Sequence, residues 1–98
     1  QKNLPKALLS KCDEVSRVLK SLSHPVRLKI LCFVMEEEKS VNDLSEFCAI
    51  SQSAMSQFLN RMRTERILES RKDKTYVYYR IADSNTLKLL KAVKEIYC

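Results

Sequence analysis

Apolar residues recur at helical spacing along most of this chain, and the pattern predicts helices before any strand appears. A first helix is predicted from about Leu4 to Leu22. Its apolar positions are spaced alternately by four and three: Leu8, Cys12, Val15, Leu19 and Leu22. This heptad-like stripe favours packing against another helix, including one from a second subunit. The sequence "SLSHP" predicts a break, with Ser23 as the N-cap and Pro25 in the first turn of the next helix.

The second helix is predicted from about His24 to Glu37 and is apolar over most of its girth, which is typical of a central buried helix. One stripe of this helix consists of Leu28, Leu31, Cys32 and Met35, and Ile30, Phe33 and Val34 lie beside it. A short third helix in "SVNDLSEFCAIS" is expected to turn Val41, Leu44 and Phe47 inward.

The segment "SQSAMSQFLNRMRTERI" predicts a fourth helix with two chemically different faces. A core stripe at i, i+3, i+4 and i+7 consists of Met55, Phe58, Leu59 and Met62. The opposite face carries compact hydrogen-bonding side chains, namely Gln52, Ser53, Ser56, Gln57, Asn60 and Arg63. Such side chains can contact base edges and phosphates in a DNA major groove, although an ordinary solvated helix face is the alternative interpretation.

In the next segment, "ILESRKDKTYVYYRI", side chains of two kinds alternate from one residue to the next. This alternation predicts two strands at about 67–71 and 75–81. The tip between them is basic and consists of Arg71, Lys72, Asp73 and Lys74. A last helix is predicted from Asp83 to Cys98. A basic hairpin after a polar-faced helix indicates a winged helix-turn-helix. The prediction is therefore a mainly α fold with a two-stranded β wing (ααααββα), forming one domain over residues 1–98.

The excess of basic residues indicates an anionic partner. The 98 residues carry a formal net charge of +6, which favours double-stranded DNA, although a merely soluble basic surface is the alternative. The sequence shows neither a membrane span nor a leader, and four cysteines are scattered without CxxC spacing, so we expect a cytoplasmic, reducing location. Because the first residue is Gln, we also expect that residues are missing at the termini.

The chain resembles the ArsR/SmtB family of bacterial repressors over nearly its whole length. The matching stretches are "LKSLSHPVRLKILCFV", "VNDLSEFCAISQSAMSQFLNRMRTERILESRKDKTYVYYRI" and the last helix. The resemblance implies a homodimer paired through the first and last helices, operator binding by the helix around Ser53 to Asn60, and release from DNA on a signal. One departure is Ala49, in a turn where many relatives have Gly.

The metal sites of the family are not reproduced. A Cys-x-Cys pair of metal-sensing relatives falls on Ser40 and Asn42, and a last-helix site falls on Asp83, Asn85 and Ile96. Soft or borderline metals require Cys, His or clustered carboxylates, so no metal or other cofactor is predicted. The single histidine, His24, is expected to have a structural role.

The resemblance implies a thiol switch instead. A branch of the family, with the HlyU, BigR and SqrR repressors, senses oxidants or reactive sulfur species through one cysteine in the second helix and one at the end of the last. Cys32 and Cys98 fall at those positions. Lys91 and Lys94 precede Cys98 by two turns and one turn and favour its thiolate, whereas the helix C-terminus opposes it.

Other interpretations stay open. Cys12, on the first-helix stripe, is a competing partner thiol, and Cys48 is expected to be a core residue. Alternative functions are a metal-responsive repressor and a winged-helix protein-interaction module. A thiol enzyme is disfavoured because no orienting base or resolving CxxC is visible.

Overall fold

The computed structural model describes residues 6–98, and it confirms a mainly helical winged helix-turn-helix fold. The elements in chain order are α1 (Lys6–Leu22), α2 (Pro25–Val34), β1 (Lys39–Ser40), α3 (Val41–Cys48), α4 (Gln52–Thr64), β2 (Leu68–Asp73), β3 (Tyr76–Ile81) and α5 (Ser84–Tyr97). The predicted start of the first helix at Leu4 lies outside the described residues.

Side chains at the helix termini explain where α2 and α3 begin. The prediction of Ser23 as the cap of α2 is wrong, because the Nδ1 atom of His24 accepts a hydrogen bond from the backbone N–H of Val26. Ser23 instead donates its hydroxyl to the carbonyl of Lys20 at the end of α1. Helix α3 begins with a capping box in which Ser40 and Asp43 satisfy each other's backbone N–H groups.

The sheet has one strand more than predicted. Strands β2 and β3 form the antiparallel hairpin of the wing, and β1 pairs with the other edge of β3 through Lys39 opposite Tyr79. This pairing attaches the wing to the segment between α2 and α3. A two-residue strand has no detectable period of its own, so the sequence pattern could not reveal it.

The core lies between α2, α3, α4 and the sheet, with α5 packed on one side. Its fully enclosed side chains include Ile30, Leu31, Leu44, Met55, Leu59, Met62, Leu68 and, from α5, Thr86 and Leu90. The prediction that Phe47 faces inward is wrong, because Phe47 is exposed, and Cys32 is exposed although the helix that carries it was predicted to be buried. Phe47 stacks on Phe33 outside the core, with ring centroids 4.0 Å apart.

Among residues 6–98, three residues adopt the left-handed conformation although the chain contains no glycine. They are Ala49 at the end of α3, Arg66 after α4 and Lys74 in the wing turn, with φ values of 56°, 64° and 59°. A Cβ atom makes this conformation costly, and glycine avoids that cost.

Helix α1 packs against the rest of the chain only near its end. Leu22 is buried and Val18 half-buried, whereas Leu8, Val15 and Leu19 are exposed. Within residues 6–98, no helix is both long and apolar enough to cross a membrane.

Candidate DNA-binding surface and thiol site

Helix α4 presents a polar face because its apolar stripe is held in the core. Ser51 caps the helix by accepting a hydrogen bond from the N–H of Ala54, at 3.1 Å. Of the six predicted DNA-contacting residues, Ser56 is half-buried and the others are exposed: Gln52, Ser53, Gln57, Asn60 and Arg63. The Gln52 amide donates to the Asn42 side chain at 2.6 Å, which joins α4 to α3 at this surface. The arrangement leaves a row of hydrogen-bonding groups open to a ligand.

The three predicted cations of the wing are not equivalent. Lys72 and Lys74 are exposed and make no ion pair within the described part of the chain. Arg71 instead forms a bidentate ion pair with Glu38, in the loop between α2 and β1, and lies over the ring of Tyr78. The hydrogen bond from Arg71 lowers the pKa of the Glu38 carboxyl. The guanidinium of Arg71 is therefore already occupied by a carboxylate.

The two cysteines proposed for the switch line one cavity between α2 and α5. Cys32 lies on the exposed side of α2, and Cys98 ends α5, where its N–H donates to the carbonyl of Lys94 at 2.8 Å. The cavity has a volume of about 710 Å³. Leu90, Val93 and Tyr97 contribute apolar side chains to its wall. Both thiols are free and accessible, so the fold brings together the two positions that the resemblance implies.

The electrostatics of this cavity distinguish the two thiols. Partial burial raises the pKa of Cys32 above its ordinary value of 9.0, and the nearby Cys98 raises it further. Lys94, expected to favour the Cys98 thiolate, forms an ion pair with Glu36 at 2.9 Å. That hydrogen bond lowers the pKa of Glu36 and raises the pKa of Lys94. Part of the positive charge near Cys98 is thus neutralised.

The other two cysteines lie elsewhere. Cys12 is exposed on α1 and donates its thiol to the carbonyl of Leu8 at 3.4 Å. Cys48 is buried at the end of α3, and burial raises the pKa of its thiol. Cys48 therefore lies in the core, as expected, and neither of these cysteines lines the cavity of Cys32 and Cys98.

Two residues at positions that hold metal ligands in relatives act as helix caps in this chain. Ser40 caps α3, and Asp83 caps α5 by accepting hydrogen bonds from the N–H and the hydroxyl of Thr86. His24 caps α2. Across residues 6–98, no three His, Cys, Asp or Glu side chains are grouped closely enough to hold a metal ion.

The acidic segment 36–38 was not among the predicted site residues. Its glutamates join distant parts of the molecule, because Glu36 binds Lys94 beside Cys98 and Glu38 binds Arg71 in the wing. In the sequence, a run of three glutamates and a basic wing tip indicated that ion pairs could form between them. Which glutamate pairs with which cation depends on the tertiary structure.

Comparison with known proteins agrees with this architecture. The sequence profile described as "Bacterial regulatory protein, arsR family" matches residues 24–70. The chain is 36% identical over 88 residues to the biofilm growth-associated repressor of Xylella fastidiosa, covering 90% of this chain and 77% of that protein. It is 32% identical over 81 residues to the transcriptional activator HlyU of Vibrio cholerae, covering 83% of this chain and 75% of that protein.

Solved structures match as well. The crystal structure of the transcriptional repressor BigR from Xylella fastidiosa superposes with a TM-score of 0.86 at 34% identity, covering 95% of both chains. The homodimeric winged helix-turn-helix DNA-binding domain Mb0332 from Mycobacterium bovis has a TM-score of 0.74 at 29% identity, covering 98% of this chain and 86% of that one. The chain therefore belongs to the arsR family of bacterial regulatory proteins, in the branch that contains BigR and HlyU.

Proposed function

We propose that this chain is a homodimeric transcriptional repressor that leaves its operator when reactive sulfur species or oxidants link Cys32 to Cys98. The observation that carries the proposal is the shared cavity of these two thiols, between the central helix α2 and the end of α5. One winged helix-turn-helix domain over residues 1–98 and a cytoplasmic location belong to the same proposal.

Operator binding is supported by the family and by the exposed face of α4. Members of this family are DNA-binding regulators rather than enzymes, and so is this chain. In the proposal, Gln52, Ser53, Ser56, Gln57, Asn60 and Arg63 meet base edges and phosphates in the major groove. Lys72 and Lys74 of the wing bind the DNA backbone. Arg71 can join them only after it separates from Glu38.

Dimerisation is supported by apolar surface that one chain leaves uncovered. Leu8 and Leu19 on α1 are about half exposed, and Ile96 and Tyr97 at the end of α5 are 74% and 81% exposed. The structural relative Mb0332 is described as homodimeric. Pairing through α1 and α5 would cover this surface and present two α4 helices to one operator.

The proposed switch is a two-step exchange with an inorganic polysulfide as the oxidant. The Cys98 thiolate attacks an internal sulfur of a hydrotetrasulfide and expels a two-sulfur hydropersulfide anion, which leaves a hydrotrisulfide (Sγ–S–SH) on Cys98. The Cys32 thiolate then attacks the sulfur bonded to Cys98 Sγ and expels the terminal sulfur as hydrosulfide (HS⁻). The two thiols are oxidised, the departing sulfur is reduced, and a trisulfide joins α2 to α5.

The geometry favours Cys98 as the first nucleophile. Cys32 has a raised pKa, so a smaller fraction of its thiol is ionised at neutral pH. Cys98 ends its helix and is exposed. A bridge with an extra sulfur also spans more distance than a disulfide, whose Cα atoms must lie within about 7 Å.

Operator titrations with and without polysulfide test both the direction of regulation and the nature of the signal. HlyU of Vibrio cholerae is named an activator, although BigR is named a repressor. A metal-responsive repressor would need ligands that residues 6–98 do not group together. A protein-interaction module would show no salt-dependent preference for operator DNA.

Operator binding is tested with two kinds of substitution. Gln57→Ala should reduce discrimination between operator and random DNA, because a base-edge contact contributes about 1–3 kcal/mol. Lys72→Ala should instead weaken binding to all sequences and flatten its salt dependence. Fluorescence anisotropy at several salt concentrations measures both effects. Unaltered discrimination in Gln57→Ala together with Ser56→Ala would show that α4 does not read the operator.

The switch is tested by treating the reduced protein with polysulfide. We expect operator affinity to fall at least about tenfold, which requires only ~1.4 kcal/mol of coupling, and to recover with a thiol reductant. Cys32→Ser and Cys98→Ser should each abolish the response. Cys12→Ser and Cys48→Ser are the matched controls and should retain it. A response that persists in Cys98→Ser would exclude this mechanism and implicate Cys12.

A further inference from the structure

A cationic cleft lies between α1, α2, the end of α4 with the loop that follows it, and the beginning of α5, and it shares no lining residue with the cavity of Cys32 and Cys98. Its volume is about 790 Å³. Five cationic side chains line this cleft: Arg17, Lys20, Arg27, Arg61 and Arg66. The two carboxylates in its wall are Glu65 and Asp83.

Both carboxylates are already engaged with other groups. Glu65 accepts hydrogen bonds from Arg27 and Ser21, and Asp83 caps α5. Within the described residues, the other four cations of the cleft form no ion pair: Arg17, Lys20, Arg61 and Arg66. Positive charge that is concentrated in a concave surface raises the local concentration of anions.

Arg27 forms the floor of the cleft, and its hydrogen bonding is incomplete. Its side chain is only 9% exposed, and one terminal nitrogen donates to Ser21 and Glu65. The buried Nε–H of Arg27 has no acceptor within residues 6–98. A buried donor without an acceptor is unfavourable, and an anion in the cleft would stabilise the guanidinium that carries it.

The backbone conformation of Arg66 independently supports a ligand site in this cleft. It adopts φ 64° directly after α4, a conformation in which glycine avoids the steric cost of a Cβ atom. The chain nevertheless has an arginine there, and its side chain lines the cleft. An unfavourable backbone conformation retained by a cation suggests that the guanidinium is needed at this place.

We infer that this cleft binds a polyanion that carries phosphate groups. Arg17, Lys20, Arg61 and Arg66 contact its oxygens, and the arginines bind them in the planar, bidentate geometry that guanidinium and phosphate share. The phosphate can belong to a free small molecule or to a DNA backbone. The inference does not depend on the thiol switch, because the cleft contains neither Cys32 nor Cys98.

Calorimetric titration of the reduced, full chain with inorganic pyrophosphate tests this site. We expect one pyrophosphate per chain, and Arg66→Gly should weaken its binding at least about tenfold because a charged hydrogen-bond donor is lost. The same variant should unfold at a higher temperature because the left-handed residue becomes glycine. Loss of binding could then not be attributed to a misfolded protein.

Lys74→Gly is the matched control. It removes one positive charge and one left-handed Cβ atom as Arg66→Gly does, but in the wing, outside the cleft. It should bind pyrophosphate as the unaltered chain does. Arg66→Lys keeps the charge and should recover most of the affinity that Arg66→Gly loses.

A second measurement separates the two sources of phosphate. The affinity for a 20-base-pair duplex without operator sequence is measured against salt concentration. If the cleft holds a backbone phosphate, Arg66→Gly lowers the slope of log affinity against log salt by about one unit, and pyrophosphate competes with the duplex. If the ligand is a free molecule, the slope stays unchanged while pyrophosphate binding is lost.

Two results would overturn the inference. One is pyrophosphate binding that is equally weak in the unaltered chain, Arg66→Gly and Lys74→Gly, which would identify an adventitious ion only. The other is the absence of pyrophosphate binding together with an unchanged salt slope in Arg66→Gly. Neither result bears on the response of operator binding to polysulfide, so the two proposals can fail separately.

Discussion

At the scale of single residues, Cys32 combines exposure with a raised pKa. An accessible thiol is often assumed to be reactive, but the thiolate is the nucleophile, and partial burial and the neighbouring Cys98 both disfavour it at Cys32. Cys32 is therefore suited to be the second reactant, which attacks only after a sulfur atom has been brought close to it by Cys98.

This difference predicts how Cys32 is alkylated. Its reaction with iodoacetamide should be slow at neutral pH and should accelerate as the pH rises above about 9, because the folded-state pKa lies above the ordinary thiol value of 9.0. Cys98→Ser should shift this profile to lower pH, since it removes one cause of the raised pKa but leaves the larger one, burial. Mass spectrometry of the peptide containing Cys32 measures the rate. A profile that moves to higher pH in Cys98→Ser would contradict the assignment.

At the scale of the elements, the turns of this chain are built without glycine. Ala49 ends α3 in the left-handed conformation, and its N–H donates to the carbonyls of Glu46 and Ser45. Alanine in this conformation has a steric cost of about 1–2 kcal/mol. Glycine would avoid that cost, but its larger loss of backbone entropy on folding would cancel part of the gain. The turn between α3 and α4 thus keeps the geometry of the fold with a residue that is poorly suited to it.

We predict that Ala49→Gly raises the free energy of unfolding by about 1 kcal/mol. Ala92→Gly is the control, because Ala92 lies in the interior of α5 and is exposed, so glycine there should lower stability by a similar amount, about 1 kcal/mol. Urea denaturation of both variants provides the comparison. Equal losses of stability at the two positions would show that the conformation of Ala49 is not strained.

The predictability of each element depended on how distinct its two faces are. Helix α4 has one apolar stripe, and Met55, Leu59 and Met62 are buried as the period of 3.6 predicted. Helix α2 is apolar almost all round, so periodicity could not identify its exposed side, on which Cys32 lies. Phe47 was misplaced because size and apolarity do not reveal a stacking partner outside the core.

The candidate site was predictable only in part, and for a similar reason. Side-chain chemistry and the resemblance indicated the polar face of α4 and the two cysteines. The ion pairs of Glu36 and Glu38 join residues 58 and 33 positions apart, and no local pattern records such contacts. The cationic cleft likewise draws on four separate elements.

At the scale of the whole molecule, the exposed apolar stripe of α1 predicts that assembly depends on this helix. Leu19 is 50% exposed and lies one turn from the buried end of α1. We expect Leu19→Glu to convert the dimer to monomers, because it places a charge in apolar surface, and to weaken operator binding by removing the second α4 helix, which lies roughly 34 Å away in a typical dimer.

Sedimentation velocity at tens of micromolar measures this effect. Lys20→Glu is the control, because it changes the charge of the neighbouring exposed position without entering the apolar stripe. If the unaltered chain is already monomeric at that concentration, the assignment of α1 to the interface is wrong.

The carboxylate of Glu38, which forms an ion pair with Arg71, would compete with a DNA phosphate for that arginine of the wing. A phosphate that reaches Arg71 must displace a carboxylate, so this contact exchanges one anion for another. Because Arg71 lowers the pKa of Glu38, the carboxylate stays ionised at neutral pH, and the competition is lost only when the pH falls through that lowered pKa. Glu38→Gln should therefore bind random DNA several-fold more tightly, with a salt slope steeper by about one unit, whereas Glu69→Gln, which frees Arg80 instead, should not. An unchanged slope in Glu38→Gln would show that Arg71 does not reach the backbone. If the slope does steepen, a single surface glutamate limits how tightly the protein holds DNA of any sequence, while the discrimination between sequences is left to α4.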